Sequence, residues 1–358
     1  MGKRLSTGVA FTTLAISSLM TLSSCSKEKR IEFKAPKFPV ETRAETSIIF
    51  DEETILPIAL HMALTDSTVS LLGIMDNKWV HTYNLSSGEL ISQAVTHGNG
   101  PDEVIVSEGF QLLPDGTFRI FEMQPPKIKT FDKNWKCIDS KDITVKQGTF
   151  AYPSLFLPDN RLLVSTSTDY ASSALCIIDN TNQGEMYEYN PLETNDTPVK
   201  RDFEHSQTKD MYHRNRMAVS PDGTKIVSTT FDGAIIEIID VDGLNLKHHA
   251  TNYLYPFEIE ERGNFTTFKD DVMRGFSAVC ATDSLIFAAF LEATNDDAPT
   301  DITVWDWEGN PLRRYKTDYQ ILAMELSPSN PEEIYALALK PSEEPQFVRF
   351  HCPGLQDN

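Results

Sequence analysis

Three observations predict an all-β chain folded as a six-bladed β-propeller with four antiparallel strands per blade. A tight turn recurs six times, a second turn follows each at a nearly constant distance, and helical periodicity is almost absent after residue 45. The first turn joins two apolar runs. It reads Thr65-Asp66-Ser67, Pro114-Asp115-Gly116, Pro158-Asp159-Asn160, Pro221-Asp222-Gly223, Thr282-Asp283-Ser284 and Pro328-Ser329-Asn330. Proline presets φ, aspartate binds the amides of its own turn, and glycine or asparagine accepts positive φ. The second turn is an apolar residue, then Asp or Asn, then usually Gly. It appears at Tyr83-Asn84, Phe131-Asp132, Ile178-Asp179, Ile239-Asp240 and Trp305-Asp306, with a degenerate copy at Phe350-His351. The spacings from first to second turn are 18, 17, 20, 18, 23 and 22 residues.

Each unit holds four strand-length runs. In the fourth they are Arg216 to Ser220, Lys225 to Thr230, Ile235 to Ile239 and Leu246 to Thr251. Six such units without helices close radially, which hides sheet edges that would otherwise template aggregation. The run Thr46 to Ile55 has no unit of its own. It is expected to supply the outermost strand of the last blade.

Composition supports a folded chain and narrows its partners. Of 358 residues, 40% are hydrophobic and 10% aromatic, which excludes intrinsic disorder. Acids outnumber bases 52 to 32, for a formal charge of -20. That field repels phosphate backbones, so no nucleic-acid partner is expected.

The first residues read as an address. Lys3 and Arg4 precede a mostly apolar stretch, Val9 to Leu22, too short to span a bilayer comfortably. Leu22-Ser23-Ser24-Cys25 follows and resembles the lipobox of bacterial lipoproteins. The resemblance implies a signal peptide over 1–24, lipidation of Cys25, and a flexible tether over 25–45 leading to a propeller over 46–358. Membrane attachment through Cys25 is then expected, since several acyl chains hold far more firmly than one. Cys137, Cys176, Cys280 and Cys352 lie in strand-like contexts without CxxC spacing, and are expected as free thiols. No His or Cys stands at ligand spacing, so neither a metal nor another cofactor is expected.

Two stretches carry a wider resemblance. One is Gly98-Asn99-Gly100-Pro101-Asp102-Glu103. The other runs from Ile302 to Phe350, with Val304-Trp305-Asp306-Trp307-Glu308-Gly309-Asn310-Pro311 and Glu333-Ile334-Tyr335-Ala336. Over roughly residues 46–352 the chain resembles the TolB-like six-bladed β-propeller lipoproteins of Bacteroidetes. The resemblance implies a bacterial cell-envelope location, at the outer membrane, and an accessory role in glycan or nutrient uptake.

The long connections 96–107, 194–214, 252–274 and 292–301 are where a binding site is expected, because irregular loops on a rigid ring carry function. Arg214, Arg216 and Arg274 precede or begin innermost strands, with Tyr212 and His213 alongside. Arginine beside aromatic rings suits a carboxylate or a sugar acid, while neutralisation of nearby acids is the competing reading. Asn99 and Asp102 are further candidates, although glycines able to take positive φ and a capping Glu103 also make their loop a structural turn. The aromatics Tyr253, Tyr255, Phe257, Phe265 and Phe268 read as a local core more than a sugar platform. The acids Glu292, Asp296, Asp297 and Asp301 lack calcium-loop spacing. No G-x-S-x-G or HExxH motif is present, so no catalytic residue is assigned. The expected function is a lipid-anchored binding or scaffold propeller engaging a glycan, a peptide or an envelope protein. The alternative is a carbohydrate-active enzyme, a lyase or glycoside hydrolase, working at the channel mouth.

Overall fold

A computed structural model describes residues 33–355, apart from 51–52, 60, 145–148, 169–171, 180–181, 190–214, 258, 263–264 and 341–342. The turn chemistry drives the hairpins as expected. Gly116, Asn160 and Gly223 take positive φ at the first turns, and Gly88, Gly243 and Gly309 at the second. Asp132 accepts the amides of Asn134 and Lys136, and Asp306 those of Glu308 and Asn310. Apolar runs between these turns pair as antiparallel sheets because each has one neighbour forced alongside it by a short turn.

Six blades result. The first is His61–Leu64, Thr68–Met75, Lys78–Asn84 and Leu90–His97, extended by the short parallel strand Glu103–Val104. The second is Ser107–Leu112, Phe118–Met123, Pro126–Phe131 and Cys137–Asp142. The third is Thr149–Phe156, Leu162–Thr168 and Ser172–Asp179, with Asn182–Gln183 and Tyr187–Tyr189 sharing its outer edge. The fourth is Asn215–Val219, Lys225–Thr230, Ile235–Asp242 and Asn245–Tyr253. The fifth is Arg274–Ala281, Leu285–Ala293, Asp301–Asp306 and Pro311–Lys316. The sixth is Gln320–Leu326, Glu333–Leu339 and Gln346–His351. Its fourth strand is Glu45–Ile48, which pairs antiparallel with Gln346–His351. The N-terminal segment therefore closes the ring, as the orphan run implied.

The cores lie between blades, not within a central ball. Leu72, Val80, Val104, Ile120 and Phe131 fill the seam between blades one and two. Leu157, Leu163, Ile177, Ile226 and Ile239 fill that between three and four. Trp305 and Trp307, which alternate along one strand, are both buried in packing. The four described cysteines are free, with Cys176, Cys280 and Cys352 buried and Cys137 half-buried. Burial raises the Cys176 thiol to about 11 and the Cys352 thiol to about 12.

One reading needs correction. The stretch taken as a flexible tether up to residue 45 is laid on the ring from Phe33 onward. Phe33 bridges to Tyr253 of blade four. Val40–Arg43 adds a parallel strand outside blade five, pairing with Arg313 to Lys316. Phe38 stacks edge-on against Trp305 at 5.3 Å, Ala44 enters the core between blades five and six, and Phe50 stacks on Phe347 at 4.7 Å. The physical reason is an edge effect: outer strands offer unpaired backbone groups, and an extended chain satisfies them. Among the described residues no helix is long and apolar enough to cross a membrane.

Candidate functional site

The six innermost strands contact one another in sequence around the ring and enclose a chamber of about 230 Å³ on its axis. Each blade contributes one polar or ionisable side chain to its lining: His61, Glu108, Ser154, Arg216, Cys280 and Glu325 in blade order. Apolar walls come from Phe110, Leu155, Met217 and Leu322.

Arg216 is fixed from two sides. Its Nε–H donates to the Ser277 carbonyl at 2.8 Å, and the Thr229 hydroxyl donates to its own carbonyl at 3.1 Å. Ser277 in turn donates its hydroxyl to the Ile321 carbonyl at 2.6 Å, linking blades four, five and six. Burial, then the Arg216 charge, pushes the His61 ring down to about 4, while a bond to the Glu108 backbone opposes this. Burial pushes the Glu108 carboxyl up to about 8 although Arg216 pulls it down. Burial alone pushes Glu325 up to about 7. At neutral pH the chamber thus presents a neutral imidazole, a largely protonated Glu108 and a guanidinium.

The residues expected from the sequence fall in different places. Arg216 lines the chamber. Arg274 stands outside it, paired with the buried carboxylate of Asp232 and with Asp296 at 2.5 Å, its guanidinium over the Phe231 ring. Arg214, Tyr212, His213 and Cys25 lie outside the described residues. Asn99 borders a separate, open cavity beside Lys127, Lys129 and Ile138. Asp102 accepts the Cys137 amide at 2.9 Å, tying its loop to the next blade.

That loop is held by Glu103, whose carboxylate accepts the Gly100 amide at 2.7 Å. Gly98 and Gly100 do not take positive φ. They leave room for the carboxylate: a Cβ on Gly98 would stand 2.2 Å from it, so Glu103 would have to move. Beneath, Lys129 pairs with buried Glu122 at 3.0 Å and donates to the Glu103 carbonyl.

The acids of the 292–301 loop are drawn to arginines. Arg314 bonds Glu292 at 2.5 Å and Asp301 at 2.6 Å. Among the described residues no group of His, Cys, Asp and Glu is placed to hold a metal ion. Phe257 is buried with Ile235 and Val272 in a small core of its own. His249 bridges Asp240 and Glu308, each at 3.0 Å, and both bonds raise its pKa.

His61, Glu108, Ser154, Cys280 and Glu325 escaped the sequence reading. A signal for three of them was present. His61, Glu108 and Glu325 each interrupt the run just before a blade's first turn, which is the innermost strand.

A closed propeller with an axial polar chamber is the class the geometry defines. The model of the TolB-like six-bladed propeller family matches residues 37–328, and the chain belongs to that family. Among solved structures, a DUF4221 family member from Bacteroides vulgatus is similar at 9% identity and TM-score 0.56, over 91% of this chain and 98% of that one. A Bacteroides fragilis protein described as exported is similar at 10% identity and TM-score 0.52, over 90% and 99%. The calcium-binding protein regucalcin from Agrobacterium tumefaciens is similar at 11% identity and TM-score 0.52, over 87% and 97%. Identities this low speak for the shared fold alone. No curated protein matches the chain by sequence.

Proposed function

We propose that the chain is a cell-envelope binding propeller that captures a small polar ligand in its axial chamber. One observation carries this reading: all six blades place a polar or ionisable side chain in one half-open axial chamber. Burying such groups costs stability, and a ring needs none of them to close, so their convergence marks a site. The envelope address rests on the lipobox-like Leu22-Ser23-Ser24-Cys25, on the family, and on the exported Bacteroides neighbour. Anchoring through Cys25 is what that motif implies, and the outer membrane is the address we infer for it. Labelling cells with a palmitate analogue tests it: the label is expected on the protein and lost in Cys25→Ala.

The chamber is tested by melting the protein against defined glycans, peptides and small envelope metabolites. A stabilising ligand is expected to lose its effect in a chamber-filling Met217→Trp variant that still melts cooperatively, and to keep it in Arg274→Ala. The reverse pattern places the site on the rim.

A second reading has its own support. Glu108, protonated near a guanidinium, has the character of a general acid. Release of new reducing ends or unsaturated products from uronide-containing glycans supports a carbohydrate-active enzyme. Retained binding without turnover between pH 5 and 9 removes it.

A further inference from the structure

We propose that the ligand of the axial chamber is a small carboxylate with a monosaccharide-sized or short hydrocarbon body, its anionic end held by Arg216. The assignment rests on the chamber being the binding site. Several features of the lining point to it.

The first is charge. Among the described residues the polar and ionisable groups facing the chamber are His61, Glu108, Ser154, Arg216, Cys280 and Glu325, one from each innermost strand. Ser154 is neutral, burial holds the Cys280 thiol protonated, and the His61 ring is neutral above about 4. Glu108 and Glu325 give up their protons only near 8 and 7. Among the described lining residues Arg216 is therefore the group that carries full charge below neutrality. A fixed guanidinium in a chain of formal charge -20 is a feature that an anionic ligand would select.

The second is orientation. The Arg216 Nε–H is committed to the Ser277 carbonyl at 2.8 Å, and this sets the plane of the guanidinium before any ligand arrives. Its charge acts on both His61 of blade one and Glu108 of blade two, so the cation is felt across the chamber. A fixed planar cation suits a carboxylate more than it suits a hydroxyl. Protonated Glu108 and Glu325 can add O–H donors to the same anion. A metal cation is the opposite case: it meets the guanidinium first, and among the described residues no ligand cluster awaits it.

The third is size and wall chemistry. About 230 Å³ lies below the roughly 300–1,000 Å³ of sites for drug-sized ligands. It fits one acid of sugar size. Phe110, Leu155, Met217 and Leu322 give the body of that acid an apolar surface.

Capture should weaken as the pH rises, because ionised Glu108 and Glu325 would face the bound anion. Calorimetric titration of the full chain with acetate, hexanoate, D-glucuronate and D-galacturonate, with D-glucose as neutral control, tests this at pH 6.5 and pH 9. At least one acid is expected to bind at pH 6.5 and to weaken about tenfold at pH 9, a change of about 1.4 kcal/mol, while glucose stays silent. Arg216→Gln should abolish binding and Arg216→Lys retain part of it. Glu325→Gln, which keeps Arg216, should bind the acid and reduce the pH dependence to the part that Glu108 supplies near 8. That variant keeps the test decisive if Arg216→Gln fails to melt cooperatively.

Glucose binding as tightly as the acids, an affinity that rises toward pH 9, undiminished binding by folded Arg216→Gln, or silence of every acid overturns the carboxylate assignment. A neutral ligand that binds wild type but not Met217→Trp sinks this assignment and leaves the chamber as the site. Ligands that bind both equally sink the chamber as well.

Discussion

At the seam between blades three and four, Glu237 is 3% exposed. Tyr187 donates to its Oε1 at 2.6 Å, and its Oε2 has no hydrogen-bond partner among the described residues. Burial pushes the carboxyl up to about 7, with the Tyr187 bond working against it. The unfolded chain releases this proton near the ordinary 4.5, so the native state binds more protons between 4.5 and 7. Stability is lost as pH rises through that window. Glu325 has the same sign up to about 7 and Glu108 up to about 8. His61 has the opposite sign, and its contribution is lost as pH falls from 6.5 toward 4. Above pH 6.5 the glutamate contributions still change, and His249, raised above 6.5 by Glu308 and Asp240, adds a loss of the same sign. The melting temperature is therefore expected to fall between pH 6.5 and 8 in scanning calorimetry. Glu237→Gln should shrink that fall by removing one of its sources. A flat or rising profile contradicts the desolvation assigned to these carboxyls.

Elements divide into those whose chemistry is local and those that need a neighbour. The hairpins were legible because Asp115, Asp132, Asp222 and Asp306 bind amides within their own turns. The belt over 33–50 was only half legible. Its closing strand showed as an apolar run without a unit, but Val40–Arg43 is exposed along its whole length and shows no alternation. Its register comes from the edge of blade five. Phe38, 8% exposed and set against Trp305, is the residue that reports on this belt. Phe38→Ala should cost about 3–5 kcal/mol in urea unfolding, the usual range for a buried phenylalanine. A cost below about 1 kcal/mol, typical of a surface substitution, would return this segment to a loose tether. The Gly98 loop is testable in the same way. Gly98→Ala should speed amide exchange of Gly100 and Cys137, since the added methyl displaces Glu103. Unchanged exchange would show that the carboxylate does not hold the loop.

On the scale of the molecule, the six-fold repeat of turns predicts the ring, because four strands joined by short turns have few other ways to hide their edges. The chamber does not follow from the repeat. It follows from departures within it: His61, Glu108, Arg216 and Glu325 occupy different offsets in their strands and meet only when the ring closes. A rule that reads one unit at a time cannot see them together. Arg216 and Arg274 look alike in the sequence, each near the start of an innermost strand. The fold separates them, one in the chamber and one among the carboxylates of Asp232 and Asp296. A crystal structure of the protein grown near pH 6 with a saturating bound acid tests the account most directly. The prediction is ligand density on the ring axis, with a carboxylate against Arg216. Density confined to the outer rim or the loops, with the axis holding solvent alone, would contradict it.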